Sequence, residues 1–475
     1  MTNKKLFTVF ILLLNFSVAS FSQSKDEVQN KIDALLKEAG AKDVYAGSLI
    51  IVKDGNAVYE KSTGLANEEK NIVNTAGTKF SLGSITKLFT KTIILQLAEE
   101  KKINLSDNII NYLPGFTDER AEQITVEQLT EHTSGLGDYA SSGNFDEIAE
   151  NINSITELLP LIQKEKLLFA PGKGVRYSNS GYVVLAALIE KLTGKQLGDV
   201  YKERIFSKMN MDNSGFGVAN KEIPGKAIGY LTNFIGPKRS NLFFKMIGGG
   251  DGGIYSTTGD MWKFANSIMN DTVLLTDESK LKLFNSPLFP VHYTDWIECK
   301  SKGKMSIAGG APGISAVLGM NLEKNYCFVV LSNYDEGSAE PMAQRISAVM
   351  NGREVLPLPL PPARFIYSLI KEKGAQNFIA NYKTALQQAN INLEDDMILL
   401  SVGETLLEEK NAEAALALYT VYTKEFPNII VAWNDMGDAY LLKGDKVNAK
   451  KCFEQALKLR PNNPRAQKML KQLEE

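Results

Sequence analysis

Histidine and cysteine are scarce in this chain, which contains two histidines and three cysteines among 475 residues. His132 and His292 are too few for a histidine-based metal centre, and no acidic helpers stand at a suitable spacing. A Ser-His-Asp triad has equally few candidates. Cys299, Cys327 and Cys452 are an odd number without metal-ligand spacing, so they indicate no disulfide scaffold, although two of them could pair in an exported protein. Any nucleophile here therefore relies on a base other than histidine.

A surplus of positive charge is absent as well. The formal net charge is -2, so the chain lacks the basic footprint of a nucleic-acid-binding protein. Beyond the N-terminus, no apolar run approaches the length of a membrane span. The apolar content of 44% and the charged content of 23% are typical of a soluble globular protein. Because 475 residues exceed what one hydrophobic core usually organises, we expect two domains.

The N-terminus has the layout of a cleaved signal peptide. Lys4 and Lys5 form a positive start, an apolar stretch runs from Leu6 to Phe16, and small residues continue to Ser22 before the sequence turns polar. The apolar stretch is too short to span a membrane. Residues 1–22 are therefore predicted to be a signal peptide, and the mature protein is predicted to be periplasmic or secreted. A retained N-terminal anchor is the alternative.

Strand signals stand at both ends of a first domain, predicted to cover residues 26–353. Near its start, two apolar and β-branched runs at 46–53 and 57–63 flank Asp54-Gly55-Asn56, which is a hairpin signal. Near its end, Ile314 to Met320 and Cys327 to Leu331 are predicted to be strands. Helical periodicity fills the middle. This order predicts an α+β fold with a sheet assembled from distant segments.

A second, all-helical domain is predicted for residues 363–475. The Pro-rich stretch 354–362 before it excludes helix and favours an extended connector. Beyond this linker, small, aromatic and proline positions recur 34 residues apart, at Gly403 and Gly437, Ala415 and Ala449, Tyr419 and Phe453, and Pro427 and Pro461. That period is typical of tetratricopeptide repeats, and Tyr382 marks a degenerate earlier copy.

Two segments of the first domain could supply reacting groups. In Ser84-Ile85-Thr86-Lys87, a helix starting at Ser84 would place Lys87 on the same face, with unpaired N–H groups near the hydroxyl. A close amine can act as the base for a serine nucleophile. In the second segment, Tyr177 could relay a proton and Asn179 could orient Lys87. Taken alone, the second segment is more typical of a turn before a helix.

Two glycine-rich segments could shape a cleft around those groups. Gly248 to Gly253 lacks the Gly-Lys-Ser/Thr ending of a phosphate loop, so it predicts close backbone packing beside a site. The segment from Ile307 to Gly313 contains Gly309 and Gly310 just before a predicted strand. Adjacent glycines on an edge strand let a ligand approach the backbone, where an N–H could support an oxyanion.

Taken together and in this order, these segments resemble the class C β-lactamase, D,D-carboxypeptidase and related esterase family of serine hydrolases. The resemblance runs from about residue 27 to 352 and includes LTEHTSGL at 129–136, in which His132 is expected to be packed rather than catalytic. It implies an antiparallel sheet with flanking helices and a helical subdomain. No metal or organic cofactor is implied.

The resemblance also implies a role for each candidate residue. Ser84 would attack a carbonyl to form an acyl-enzyme, Lys87 and Tyr177 would move the proton, and Asn179 would position the substrate. The N–H groups of Ser84 and Gly310 would hold the oxyanion. The substrate would be a small molecule or a peptide.

Ile307 departs from the family pattern. The third motif usually begins with Lys or His, followed by a small residue and Gly, whereas this chain has Ile307-Ala308-Gly309. Isoleucine can neither donate a hydrogen bond nor attract a carboxylate. The implied preference therefore shifts from carboxylate-bearing peptides towards neutral esters or amides.

Two questions remain open on the sequence alone. The first domain is either an active esterase- or D-peptidase-like hydrolase or a catalytically silent pocket that binds a peptide or peptidoglycan-like ligand. The helical repeats either bind a protein partner or dock on the hydrolase and stabilise it.

Overall fold

The computed structural model describes residues 25–139, 152, 154–217, 223–232, 235–242, 248–335, 337–389, 391–393 and 397–474. The predicted signal peptide, residues 1–22, lies outside the described residues. None of the described helices combines the length and the apolarity that crossing a membrane requires.

Strands from distant parts of the chain form one five-stranded antiparallel sheet. In spatial order they are β10 (Lys304–Ala311), β11 (Ile314–Asn321), β12 (Tyr326–Ser332), β1 (Gly47–Lys53) and β2 (Asn56–Thr63). The β1–β2 turn is made by Asp54 and Gly55, which both have a positive φ, as a tight hairpin requires. The predicted α+β sheet built from distant segments is therefore confirmed, and β10 lies at its edge.

Short strands form three smaller sheets beside the main one. β3 (Leu65–Asn67) pairs with β4 (Ile72–Val73), and β7 (Tyr230–Leu231) pairs with β8 (Arg239–Ser240). β9 (Ile254–Ser256) lies between β5 (Phe80–Ser81) and β6 (Gly215–Phe216). The β5–β9 pairing brings the chain just before Ser84 next to the glycine-rich segment.

Helices flank the sheet and fill the middle of this region. They are α1 (Lys25–Lys42), α2 (Thr86–Glu99), α3 (Val126–Thr130), α4 (Ile155–Ile162), α5 (Asn179–Thr193), α6 (Leu197–Tyr201), α7 (Thr258–Asn270), α8 (Asp277–Phe284), α9 (Trp296–Lys302) and α10 (Ala339–Met350). In α2, every residue from Thr86 to Leu97 is buried, so this helix runs through the interior of the protein.

Both faces of the main sheet are covered, because alternate strand residues point to opposite sides. On one face, Leu49 and Val330 pack against α1 and α10. On the other face, Ile50 and Val329 join a larger core that includes α2, α5 and α7. The candidate site lies on the side of this larger core.

The C-terminal part of the described chain is helical. Its helices are α11 (Pro362–Lys373), α12 (Ala375–Gln388), α13 (Met397–Glu408), α14 (Ala412–Glu425), α15 (Ile430–Leu442), α16 (Lys446–Leu459) and α17 (Pro464–Glu474). α16 begins and ends 34 residues after α14 begins and ends. A Cβ at Gly403 would lie 2.5 Å from the Tyr419 ring, and one at Gly437 would lie 2.6 Å from the Phe453 ring. The 34-residue period therefore reflects glycines that let paired helices cross closely.

The Pro-rich linker runs along the sheet-containing region. Residues 354–361 form no helix or strand. The Arg345 guanidinium donates to the carbonyls of Leu356 (3.1 Å) and Pro357 (2.6 Å), and Leu358 is buried. The cysteines contribute no covalent link to either region, since Cys299, Cys327 and Cys452 are all buried free thiols.

The close helix crossing at Gly437 predicts that this position tolerates no side chain. Gly437→Ala should lower the free energy of unfolding of the repeats by about 1–3 kcal/mol, because the added methyl overlaps the Phe453 ring. This loss exceeds the gain of about 1 kcal/mol in helix propensity. Urea unfolding followed by circular dichroism measures the change. Gly40→Ala in α1, where a Cβ meets open space, is the matched control and should be neutral or stabilising. A Gly437→Ala protein as stable as wild type would contradict the expectation.

Candidate active site

Ser84 lies in a tight turn rather than in regular α-helix. A 3-10 turn at Gly83–Ile85 precedes α2, which begins at Thr86, so the helix starts two residues later than the sequence predicts. Gly83 has a φ of 53°, a conformation that favours glycine. Lys87 follows one turn later and projects back to Ser84, as the spacing predicts.

Lys87 is the centre of the candidate site. Its side-chain nitrogen Nζ donates to Ser84 Oγ (3.1 Å), to Asn179 Oδ1 (2.7 Å) and to the carbonyl oxygen of Asp251 (2.9 Å). The residue is only 6% exposed. Burial lowers the pKa of Lys87 to about 8, against the opposing effect of the Asp251 and Asp138 charges. The amine therefore loses its proton more easily than an exposed lysine does, and in its neutral form it can accept one.

Tyr177 reaches the site through its ring. Lys87 Nζ lies 4.8 Å from the centroid of the Tyr177 ring. The imidazole of His132 stacks on the same Tyr177 ring, with 4.8 Å between the ring centroids. Tyr177 is 42% exposed, so it stands at the mouth of the site.

His132 packs against Tyr177 and is hydrogen-bonded to the next residue. Its Nδ1 accepts a hydrogen bond from the backbone N–H of Ser178 (3.1 Å), and the imidazole is buried. Burial, helped by the charges of Lys87 and Lys91, lowers the pKa of His132 to about 3. The ring is therefore neutral and packed, as expected from the sequence.

Two carboxylates beside Lys87 are absent from the sequence-based site. Asn179 opens α5, and its Nδ2 donates to Asp138 Oδ2 (2.8 Å). Tyr139 donates to Asp251 Oδ2 (2.8 Å), and burial raises the pKa of the Asp251 carboxyl. The sequence offers only weak signals for these two residues. Asp138 lies two residues beyond LTEHTSGL, and Asp251 lies inside the glycine cluster.

Close backbone packing of the glycine cluster, as predicted, places the Asp251 carbonyl against the Lys87 amine. Gly250 has a φ of 86°, and a Cβ there would lie 2.7 Å from Ala186 Cβ and 2.8 Å from the Tyr182 carbonyl oxygen. Thr90 on α2 donates to the Gly250 carbonyl (2.6 Å). Only glycine lets this segment pass between α2 and α5.

The edge strand β10 lies directly against the turn that carries Ser84. A Cβ at Gly309 would lie 2.7 Å from the Ser84 nitrogen, and a Cβ at Gly83 would lie 2.7 Å from the Gly310 nitrogen. Ile307 precedes Gly309 on the same strand face and packs against the larger core. This face of β10 therefore carries an apolar side chain at position 307, the predicted start of the third motif.

The arrangement contains no evident metal centre. Among the described residues, no group of three or more His, Cys, Asp or Glu side chains is placed to hold a metal ion. The groups that converge are a hydroxyl, an amine, a phenol ring, an amide and two glycine backbones. Such a set suits nucleophilic acyl transfer.

Comparison with known proteins identifies the family. The model of the Beta-lactamase family matches residues 30–350, and a Tetratricopeptide repeat model matches residues 430–463. The chain therefore belongs to the β-lactamase family of serine hydrolases. This confirms the resemblance, the enzyme class and the presence of a helical repeat.

Individual relatives share about a quarter to a third of their residues with this chain. Penicillin-binding protein 4* of Bacillus subtilis is 27% identical over 340 residues, which cover 66% of this chain and 73% of that protein. Teichoic acid D-alanine hydrolase of Staphylococcus aureus is 32% identical over 250 residues, covering 52% and 58%. A penicillin-binding protein structure from Bacillus halodurans superposes with a TM-score of 0.59 at 25% identity, covering 66% and 98%.

The electrostatics around Lys87 predict a pH profile. If neutral Lys87 accepts the serine proton, kcat/KM should rise with pH around a midpoint near 8. The Asp251 charge favours the ammonium form, so Asp251→Asn should move this midpoint to lower pH. Hydrolysis of a neutral ester across pH 5 to 10 measures it.

Asp26→Asn, which changes an exposed carboxylate in α1, is the control for this profile and should leave the midpoint in place. A midpoint that stays fixed or rises in Asp251→Asn would show that this carboxylate does not set the protonation of Lys87.

Proposed function

We propose that Ser84 is the nucleophile of this hydrolase and that Lys87 is its base. The observation that carries the proposal is the 3.1 Å distance between Lys87 Nζ and Ser84 Oγ, made by an amine that is buried and easily deprotonated. A serine hydroxyl becomes nucleophilic when a neighbouring base can take its proton. His132 is neutral, stacks on Tyr177 and already accepts a hydrogen bond from Ser178, so Lys87 is the basic group beside the hydroxyl.

Acylation would begin with attack by Ser84 and end with departure of the leaving group. Ser84 Oγ bonds to the substrate carbonyl carbon while its proton passes to Lys87 Nζ. The carbonyl oxygen becomes an oxyanion, which accepts hydrogen bonds from the N–H groups of Ser84 and Gly310. The oxyanion then reforms the carbonyl, the bond from the acyl carbon to the leaving oxygen or nitrogen breaks, and the leaving alcohol or amine takes the proton that Lys87 returns through the Tyr177 hydroxyl.

Deacylation uses the same groups with water in place of the serine hydroxyl. Water attacks the acyl carbon, its proton passes through Tyr177 and Lys87 to Ser84 Oγ, and the carboxylic acid leaves. Asn179 keeps Lys87 in place through its Oδ1 and can present its amide to the substrate.

The charges of the site favour substrates without a free carboxylate. Ile307 offers no cation to hold a carboxylate, while the carboxylates of Asp138 and Asp251 lie close enough to act on the Lys87 amine. We infer that the substrates are esters or amides without a free carboxylate, either neutral or, as in D-aminoacyl compounds, carrying a free ammonium group. The name of the related teichoic acid D-alanine hydrolase supports this class.

The domain organisation and location follow as part of the same proposal. We infer a hydrolase domain at 26–353, a linker at 354–362 and a repeat domain at 363–475, exported by the signal peptide at 1–22. The names of the relatives, a penicillin-binding protein and a teichoic acid hydrolase, agree with action in the bacterial cell envelope. The repeats would then offer a surface to a protein partner.

Labelling with a fluorophosphonate tests the nucleophile. The wild-type protein should be labelled, and Ser84→Ala should lose at least about 100-fold in labelling rate because the attacking oxygen is gone. Ser301→Ala, which removes an exposed hydroxyl on α9, is the control and should label like wild type. Equally poor labelling of wild type and Ser84→Ala, with the fold intact, would favour the silent binding pocket instead.

Introducing a cation at position 307 tests the substrate class. Ile307→Lys should raise kcat/KM for a peptide substrate with a free C-terminal carboxylate by about tenfold relative to a neutral ester, because the new ammonium can pair with that carboxylate. Ile307→Met, which keeps the side chain apolar, serves as the control. An unchanged ratio in Ile307→Lys would separate position 307 from carboxylate recognition.

A further inference from the structure

The β7–β8 hairpin contacts the helical repeats. Ile235, in the connection between the two strands, packs against the apolar core formed by α11 to α16. Its backbone N–H donates to the Ser401 hydroxyl on α13 (3.4 Å). The hairpin therefore inserts one apolar side chain into the repeats.

The base of the same hairpin is clamped to the turn that follows β10. The Asp335 carboxylate accepts from the backbone N–H groups of Thr232 (2.5 Å) and Gly313 (2.8 Å). Asn241 adds a second bridge, since its Oδ1 accepts from the Gly229 N–H (3.1 Å) and its Nδ2 donates to the Pro312 carbonyl (2.9 Å). The first bridge starts at Thr232, just after β7, and the second starts at Asn241, just after β8, and both reach the β10–β11 turn.

The backbones at this junction are in direct contact. A Cβ at Gly229 would lie 2.2 Å from the Gly313 carbonyl oxygen, and a Cβ at Gly313 would lie 2.8 Å from the Gly229 carbonyl carbon. Such packing leaves little room for either segment to move alone. Gly310 stands three residues before Gly313, so the position of the hairpin constrains the proposed oxyanion donor.

A second contact fixes the repeats near the same hairpin. Arg364 on α11 donates to the backbone carbonyls of Lys42 (2.5 Å) and Asp43 (2.9 Å), at the C-terminal end of α1, where a cation is favourable. The Asp43 carboxylate in turn accepts from Lys238 of the hairpin connection (3.0 Å) and from Tyr334 (2.7 Å). The repeats thus contact the hairpin directly through Ile235 and indirectly through Asp43.

We propose that the helical repeats are a positioning element of the active site, acting through the β7–β8 hairpin on the strand that carries Gly310. Ile235 is the positioning residue that couples the two parts, and Asn241 and Asp335 transmit its position to the β10–β11 turn. The proposal rests on the proposed function, because it concerns the geometry of the oxyanion donor.

Kinetics of full-length variants test the coupling. Ile235→Ser should lower kcat for a p-nitrophenyl ester about fivefold with KM within about twofold, because the oxyanion donor acts mainly in the transition state. Ser401→Ala, a milder change in α13, should lower kcat in the same direction. Val447→Ser, at a 68% exposed position of α16, is the control and should leave both constants unchanged.

A double-mutant cycle tests the route. In an Asn241→Ala background, Ile235→Ser should reduce kcat less than it does in the wild-type background, because both residues act on the same turn. Independent, multiplicative effects of the two substitutions would overturn the proposed route.

Hydrogen exchange separates this proposal from the assignment of the nucleophile. The Gly313 amide, which donates to Asp335, should exchange at least about threefold faster in Ile235→Ser than in wild type or Val447→Ser, whether or not the protein turns over an ester. Unchanged exchange at Gly313 in Ile235→Ser and Ser401→Ala would overturn the coupling. Absence of Ser84-dependent turnover with faster exchange would instead overturn only the proposed function.

Discussion

Burial of the Lys87 amine is the constraint on which the rest of this structure depends. An ammonium group removed from water is costly unless its donors are satisfied, and here each of its three donors has an acceptor. The acceptors come from the turn before α2, from the first residue of α5 and from the glycine-rich segment before β9. Satisfying one side chain therefore requires three distant parts of the chain to meet, and that meeting creates the site.

Glycine makes this meeting sterically possible at two places. Gly250 lets the segment bearing the Asp251 carbonyl pass between α2 and α5, and Gly309 lets β10 approach the backbone of Ser84. A methyl group at either position would overlap main-chain atoms, which cannot rotate away as a side chain can. The hydrogen bonds of Lys87 and the proposed oxyanion donors thus depend on the same property, backbone approach without a Cβ.

Features encoded by short stretches of sequence could be predicted, and features that need the tertiary structure could not. The Asp54-Gly55 hairpin, the Ser84–Lys87 spacing and the 34-residue period each follow from local geometry, and the structure contains all three. Asp138 and Asp251 cannot be recognised from the sequence, because acidic residues near glycines are common. Only their closeness to Lys87 in the folded protein distinguishes these two. The contact of Ile235 with the repeats likewise joins segments far apart in sequence.

The charges beside Lys87 connect base strength with substrate choice. A cation at position 307, on the strand that contacts the Ser84 turn, would oppose the ammonium form of Lys87 and lower its pKa further, as well as attract carboxylates. Ile307 removes both effects, which leaves burial opposed by the carboxylates of Asp138 and Asp251. Burial thus outweighs the two carboxylates and sets the pKa of Lys87 at about 8. Under the proposed function, the carboxylates of Asp138 and Asp251 would favour an ammonium group on the substrate over a carboxylate, and the same two charges raise the pKa of the proposed base.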